Sequence, residues 1–220
     1  MLLFNGGPGC DDYLRPLAEM LSHSYQVIRF EARGCGNSVW DGRYDMQTLL
    51  ADTDRILDHY QLDRVLLAGH SFGPDVALAW ILSNPDRARR AAGLVGIAGG
   101  RIVNDRQWHE IYRQRLQTEG EAQSQNWNAD PAVNPDCMAS YREMMQKPDL
   151  LRQIADLYLP AHYIMAGNDI RPDWPTRQLA NLLPAGDYEV IAGASHVIWL
   201  SHAEALNRAL NQAVSRILDQ

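Results

Sequence analysis

The stretch "LLAGHSFGPDVALAW" holds Gly69-His70-Ser71-Phe72-Gly73, a G-x-S-x-G pattern between a strand-length apolar run and a helix-type segment. That context describes a sharp strand-to-helix turn that lifts a serine hydroxyl above the end of a sheet. Side chains two residues away on either side of Ser71 would collide with neighbouring backbone, so glycine is expected at 69 and 73. The helix N-terminus behind the turn favours negative charge developing there. A serine hydroxyl is a weak nucleophile and needs a base, which in turn needs an acid to orient it. In this frame the partners are expected downstream, acid first and histidine second, each just past a strand. "AHYIMAGNDIRP" supplies Asp169 and "YEVIAGASHVIWL" supplies His196. Asp173 and Asp105 are the fallback acids, and His202 reads as the start of the last helix.

Two more loops are candidates. "NGGPG" (Asn5–Gly9) follows a short apolar run and has only four residues before it. "EARGCGNS" (Glu31–Ser38) contains Gly34-Cys35-Gly36, but no G-x-G-x-x-G is completed and no helix opens directly after it. A dinucleotide loop is therefore rejected.

These residues need a scaffold. Apolar runs at Leu2–Phe4, Tyr25–Glu31, Arg64–His70, Ala91–Gly99, Ala161–Gly167 and Tyr188–Ala194 are continuous rather than alternating, as in parallel strands buried on both faces. Amphipathic segments at Leu14–Leu21, Met46–Tyr60, Phe72–Ser83, Thr176–Leu183 and Ala203–Leu218 alternate with them. The alternation predicts a parallel α/β sheet with helices on both faces. From Gly100 to about Asp149 no strand is expected. "RQWHEIYRQRLQTEGEAQ" reads as one helix and a second starts near Asp136. We read residues 100–149 as a helical lid inserted into a core of residues 1–99 and 150–220.

Composition narrows the partners. The 220 residues carry 20 Lys and Arg against 27 Asp and Glu, a net charge of −7, with no basic stripe. Nucleic acid is thus a poor fit. No stretch has the roughly 18 consecutive apolar residues of a membrane span. Three scattered cysteines without metal-ligand spacing, and no leader-like start, suit a reduced cytoplasmic setting. No H-E-x-x-H or similar cluster points to a metal, His109-Glu110 being an isolated pair. No cofactor is needed for the chemistry expected.

With its elbow, acid and histidine in this order, the chain resembles the α/β-hydrolase superfamily along nearly its whole length. The likeness is strongest to the prolyl aminopeptidase-like branch, with its His-Gly-Gly-Pro-Gly loop and D-x-R-G-x-G-x-S turn. Here these stand as "NGGPG" and "EARGCGNS". Asn5 replaces the branch's histidine, and Phe72 stands where many prolyl aminopeptidases carry tryptophan. The resemblance implies an oxyanion hole from the backbone N–H groups of Gly7 and Phe72. It also implies strand order 4-3-5-6-7-8, without the family's N-terminal hairpin. Tyr25–Glu31 would then be an uncovered edge strand, open to association with another copy.

The expected reaction is acyl transfer through Ser71 on a small ester, lactone or amide. A prolyl aminopeptidase is the more specific alternative, and its lid would need carboxylates for a substrate's amino group. Glu110, Glu119, Glu121 and Glu143 are available, although acids on a helix usually form a solvated face. The lid aromatics Trp108, Tyr112, Trp127 and Tyr141 read as packing rather than ligand stacking. A non-catalytic binding protein on the same fold is the alternative from another class, and a cofactor-free haloperoxidase or C–C bond hydrolase a third.

Overall fold

The computed structural model describes residues 1–101, 105–119 and 127–219. Strands β1 (Leu2–Phe4), β2 (Ile28–Arg29), β3 (Val65–His70), β4 (Ala91–Ile97), β5 (Ala161–Ala166) and β6 (Gly186–Ile191) form one sheet. All neighbours pair in parallel, in the order β2-β1-β3-β4-β5-β6. This is the strand order expected.

Strands β1, β3, β4 and β5 are buried on both faces, which is why they read as unbroken apolar runs. At the far edge β6 has no buried residue, contrary to the reading of Tyr188–Ala194 as a strand covered on both sides. Alternate residues feed separate cores. Leu2, Phe4, Val65, Leu67 and Tyr163 pack on one side with helices α2 (Met46–His59) and α3 (Gly73–Ser83). Leu3, Leu66, Ala68, Val95 and Ile164 pack on the other with α1 (Arg15–Leu21) and α10 (Ala203–Leu218). In α10 the buried residues are Leu206, Ala209, Leu210, Ala213, Val214 and Ile217, a single helical stripe. Helix α2 starts where the Asp45 side chain accepts from the Thr48 N–H, satisfying one of the helix's unpaired amides. Helix α3 is apolar nearly all round because it is enclosed nearly all round.

Several boundaries differ from expectation. The edge strand is two residues long, not the seven of Tyr25–Glu31. Its partner β1 has only three residues to pair with. Beyond the ladder, the Met1 ammonium holds the Gln26 carbonyl at 2.7 Å and Asn5 Nδ2 holds that of Phe30 at 2.8 Å. Exposed Arg29 pairs with Asp12, so the edge is short and charged, a form that discourages strand addition. Strand β6 ends at Ile191, leaving a turn to carry the chain to His196.

The β4–β5 connection holds α5 (Arg106–Glu119), α6 (Val133–Met145) and α7 (Leu150–Ala155). Helix α6 begins three residues before Asp136, and α7 is additional. The tail of the expected first helix, beyond Glu119, lies outside the described residues. Pro at the first helical position also starts a short unexpected helix, α4 (Pro85–Arg90), capped by Asn84. Helices α8 (Trp174–Leu182) and α9 (Ile198–Ser201) complete the fold. Among the described residues no helix is long and apolar enough to cross a membrane.

Candidate active site

Three loops at the C-terminal ends of β3, β5 and β6 bring the serine, acid and histidine together. Ser71 sits at φ +59°, a left-handed conformation that a side-chain-bearing residue rarely adopts. The turn is held by the Ser71 N–H donating to the Ile97 carbonyl at 2.9 Å. A Cβ at position 69 would stand 2.6 Å from the Gly73 carbonyl carbon, and one at 73 would stand 2.3 Å from the Phe4 oxygen. The steric reading of the two glycines therefore holds. Gly99, which the motif does not include, is as constrained: its Cβ would lie 1.7 Å from the Ser71 oxygen.

Ser71 Oγ lies 3.1 Å from His196 Nε2, and His196 Nδ1 lies 2.5 Å from Asp169 Oδ2. The carboxylate accepts from Nδ1–H, which leaves Nε2 able to accept the serine proton. Asp169 Oδ1 accepts from the Arg171 N–H at 2.9 Å and from the Arg171 guanidinium at 3.3 Å. Burial alone would raise the Asp169 carboxyl. The His196 hydrogen bond and charge, with Arg171, outweigh it and hold the carboxyl below its ordinary range. Asp169 thus stays ionised beside the imidazole. The two loops are also tied by backbone, since the Asn168 N–H donates to the Ala194 carbonyl at 2.8 Å.

The fallback acids are occupied elsewhere. Asp173 accepts from the Tyr188 hydroxyl at 2.5 Å, and Asp105 accepts from Trp174 Nε1 at 3.1 Å and from the first amides of α5. His202 stands at the start of α10, as its position suggested, with its ring bonded to the Ser201 hydroxyl rather than to the helix amides.

The Asn5–Gly9 loop runs alongside Ser71. Gly7 has φ +108°, and a Cβ there would stand 2.8 Å from the Gly9 nitrogen, so glycine is needed for conformation and space together. Neither the Gly7 nor the Phe72 N–H has a hydrogen-bond partner among the described residues. The neighbouring Gly6 N–H is committed, donating to the Tyr13 hydroxyl at 2.9 Å. Asn5, in the histidine position of the resembled branch, ties the loop to the end of β2 through Phe30.

The β4–β5 segment closes over this edge. Trp108 is buried, donates from Nε1 to the Pro172 carbonyl at 2.9 Å and stacks on Tyr112. Tyr141 packs edge-on against Phe72, and its hydroxyl lies 2.5 Å from Asp75 Oδ1 and 2.8 Å from the Arg101 carbonyl. These aromatics pack the segment down, as expected. Glu110 and Glu143 are exposed, while the Glu119 side chain and Glu121 lie outside the described residues. The segment's own hydrogen bond to Asp169 comes from Arg115, to its carbonyl at 3.3 Å. A cleft open to solvent adjoins the Asn5–Gly9 loop. Its wall includes Gly6, Pro8, Phe72, Val76, Val133 and Cys137, but not Ser71.

A parallel α/β sheet with a serine on a strained elbow, answered by a histidine and an acid from later strand ends, defines the hydrolase class to which the comparisons lead. The family model described as "Alpha/beta hydrolase family" matches residues 1–209. The chain belongs to that family. It is 23% identical over 248 residues to a putative carbamate hydrolase RutD from Enterobacter cloacae, covering 99% of this chain and 92% of the relative. It is 30% identical over 109 residues to a proline iminopeptidase from Xanthomonas citri, covering 44% of this chain and 32% of that one. Among solved structures, an esterase from Thermogutta terrifontis aligns with a TM-score of 0.72 at 22% identity, over 98% of this chain and 89% of that one. At that identity the likeness speaks for the fold.

Proposed function

We propose that this protein is a serine hydrolase that cleaves a small carbonyl substrate through an acyl-enzyme on Ser71. The observation that carries the reading is the continuous chain from Ser71 Oγ to His196 to Asp169, at 3.1 and 2.5 Å, on a backbone strained at the nucleophile. His196 Nε2 takes the Ser71 proton as the oxygen attacks the carbonyl carbon. Asp169 holds the ring and stabilises its charged form. The Gly7 and Phe72 amides, which have no partner among the described residues, receive the oxyanion. His196 returns the proton to the leaving group, and water activated by the same base releases the acyl group. Loss of one oxyanion donor typically costs about 3 kcal/mol of transition-state stabilisation.

The β4–β5 segment acts as the lid in this reading, and the cleft beside Gly6 and Phe72 receives one half of the substrate. An ester, lactone, amide or carbamate carbonyl suits the machinery equally. The aminopeptidase alternative draws support from the local identity to a proline iminopeptidase. Against it, Glu110 and Glu143 are exposed to solvent, while the Glu119 side chain and Glu121 lie outside the described residues.

The test is intact mass after exposure to a fluorophosphonate probe, with Ser71→Ala as control. One adduct on the wild type, absent from the variant, is expected. Folded wild type that takes no adduct would sink the reading in favour of a binding protein on this fold. Turnover of short aryl esters against prolyl arylamides then separates the two hydrolase readings.

A further inference from the structure

Beside the serine–histidine–acid chain runs a second set of hydrogen bonds that the chemistry above does not use. The Gly6 N–H donates to the Tyr13 hydroxyl at 2.9 Å, and that hydroxyl lies 2.6 Å from His70 Nδ1. On the other side of the ring, His70 Nε2 lies 3.0 Å from the backbone carbonyl of His196. The residues come from the segment after β1, the end of β3 and the loop after β6, with Tyr13 and His70 57 positions apart and His70 and His196 126 apart.

The proton directions follow from donor and acceptor chemistry. A backbone carbonyl only accepts, so His70 Nε2 must carry a proton. His70 is fully buried, with the His196 ring 4.7 Å away between centroids, and burial followed by that neighbour holds it well below its ordinary pKa. The ring is thus neutral, Nδ1 is bare, and the Tyr13 hydroxyl must donate to it. That hydroxyl is then free to accept from Gly6. Every bond runs in a single sense, from Gly6 to Tyr13 to His70 to His196, and none is left unmet.

The placement is what gives this set a role. Gly6 precedes the proposed oxyanion donor Gly7, His70 precedes the nucleophile Ser71, and His196 is the base. We propose that Tyr13 and His70 are positioning residues, a relay that holds the oxyanion loop, the nucleophile elbow and the base loop in one register. Trp199 sits edge-on to His70 at 4.8 Å and parallel to Tyr13 at 6.1 Å, while Trp127 flanks Tyr13 at 4.9 Å. These rings cover the buried His70 and one face of the half-buried Tyr13, limiting the water that would otherwise compete for their bonds. Glycine at position 6 is part of the same device, since a Cβ there would stand 2.4 Å from the Tyr13 oxygen and 3.0 Å from Ser71 Cβ.

The inference rests on the serine hydrolase reading for its catalytic meaning, so its test has an arm independent of activity. In protein labelled with ¹⁵N-histidine at neutral pH, His70 is expected as the neutral Nε2–H tautomer. In Tyr13→Phe, its Nδ1 signal should move to that of a nitrogen without a donor, and the His196 ring signals should move with it. A charged or Nδ1–H His70 in the wild type, or His196 signals indifferent to Tyr13→Phe, overturns the relay whether or not the protein is active. On wild type that labels with fluorophosphonate, Tyr13→Phe is expected to lower kcat on the order of 10- to 100-fold, the scale of a small misplacement of reacting groups, with KM nearly unchanged. His70→Gln, which can still donate toward the His196 carbonyl, should retain more kcat than His70→Leu. An unchanged kcat in Tyr13→Phe, or equal loss in the two His70 variants, likewise overturns it.

Discussion

The strand-end loops and the β4–β5 segment meet at the same edge of the sheet but are held there by different means. The loops are extensions of β3, β5 and β6, fastened by backbone bonds such as Ser71 N–H to Ile97 and Asn168 N–H to Ala194. The β4–β5 segment is fastened by side chains, Tyr141 to Asp75, Trp108 to Pro172, and Asn134 Nδ2 to the Pro8 carbonyl at 2.8 Å, with one short backbone bridge where the Gly36 N–H meets the Asn128 carbonyl and the Asp130 N–H that of Gly34. Backbone ladders tolerate almost any side chain elsewhere and keep reacting groups fixed. Side-chain anchors can be exchanged one at a time, so the wall facing the substrate can change while the chemistry stays. We therefore expect changes in the loops to act on kcat, and changes in the β4–β5 segment to act on KM and stability.

The largest effect should come from Ser71→Ala, which removes the proposed nucleophile. A loss of about 10⁶-fold in kcat is expected, read as ester turnover with the fluorophosphonate adduct gone. Asp169→Asn should cost about 10⁴-fold, because an amide in that position favours the wrong tautomer of His196 while leaving the geometry in place. A variant that kept near-wild-type turnover would show that another group orients the histidine, and the comparison would lose its first half.

Tyr141→Phe probes the other half. Asp75 is fully buried and its carboxyl is raised, first by burial, despite opposing contributions from Arg101 and the Tyr141 bond. Removing the hydroxyl leaves that carboxyl and the Arg101 carbonyl each short of a partner, at about 1–3 kcal/mol of stability. Urea denaturation measures this, and kinetics should show KM changing more than kcat. If kcat collapsed while KM stayed put, the division between the two regions would be broken.

The smallest effect is on the pH dependence of stability. His70 is held neutral by burial and by His196, against the weaker pull of its bond to the His196 carbonyl and of Asp169, with Arg171 adding to the lowering. Unfolded, it binds a proton near its ordinary pKa of about 6.5, whereas folded it does not. Below about pH 6.5 the unfolded state therefore binds more protons, and stability falls with pH. His70→Gln should flatten this part of the profile. Denaturation midpoints at a few pH values between about 7.5 and 5.5 would show it, and parallel profiles for the two proteins would refute it.

The parts that could be read directly are those whose cause is local. Gly69 is required by a local clash with Gly73, although Gly73 itself is required by the distant Phe4 carbonyl, and Asp169 and His196 each follow an apolar strand by a few positions. The unbroken apolar runs of β1, β3, β4 and β5 announced strands covered on both faces. Less could be read where the cause is distant. Tyr25–Glu31 looks like a full strand, yet only Ile28 and Arg29 pair, because β1 offers just three residues. Pro85 and Asn84 did carry a helix-start signal that could have revealed α4. The lid acids could not be oriented from their spacing, since helix periodicity names a face but not what that face meets.

By itself the sequence determined a parallel sheet with helices packed on it and named a candidate serine, acid and histidine, because strand periodicity and motif order are short-range, while the order of the strands came from the family resemblance. Only the tertiary structure decided that Gly99 must be small, that Glu110 and Glu143 face solvent, and that Tyr13 and His70 join Gly6 to His196. Those outcomes depend on which loops meet at one edge of the sheet. A half-buried tyrosine and a buried histidine 57 residues apart carry no mark of each other until the fold places one hydroxyl 2.6 Å from one nitrogen.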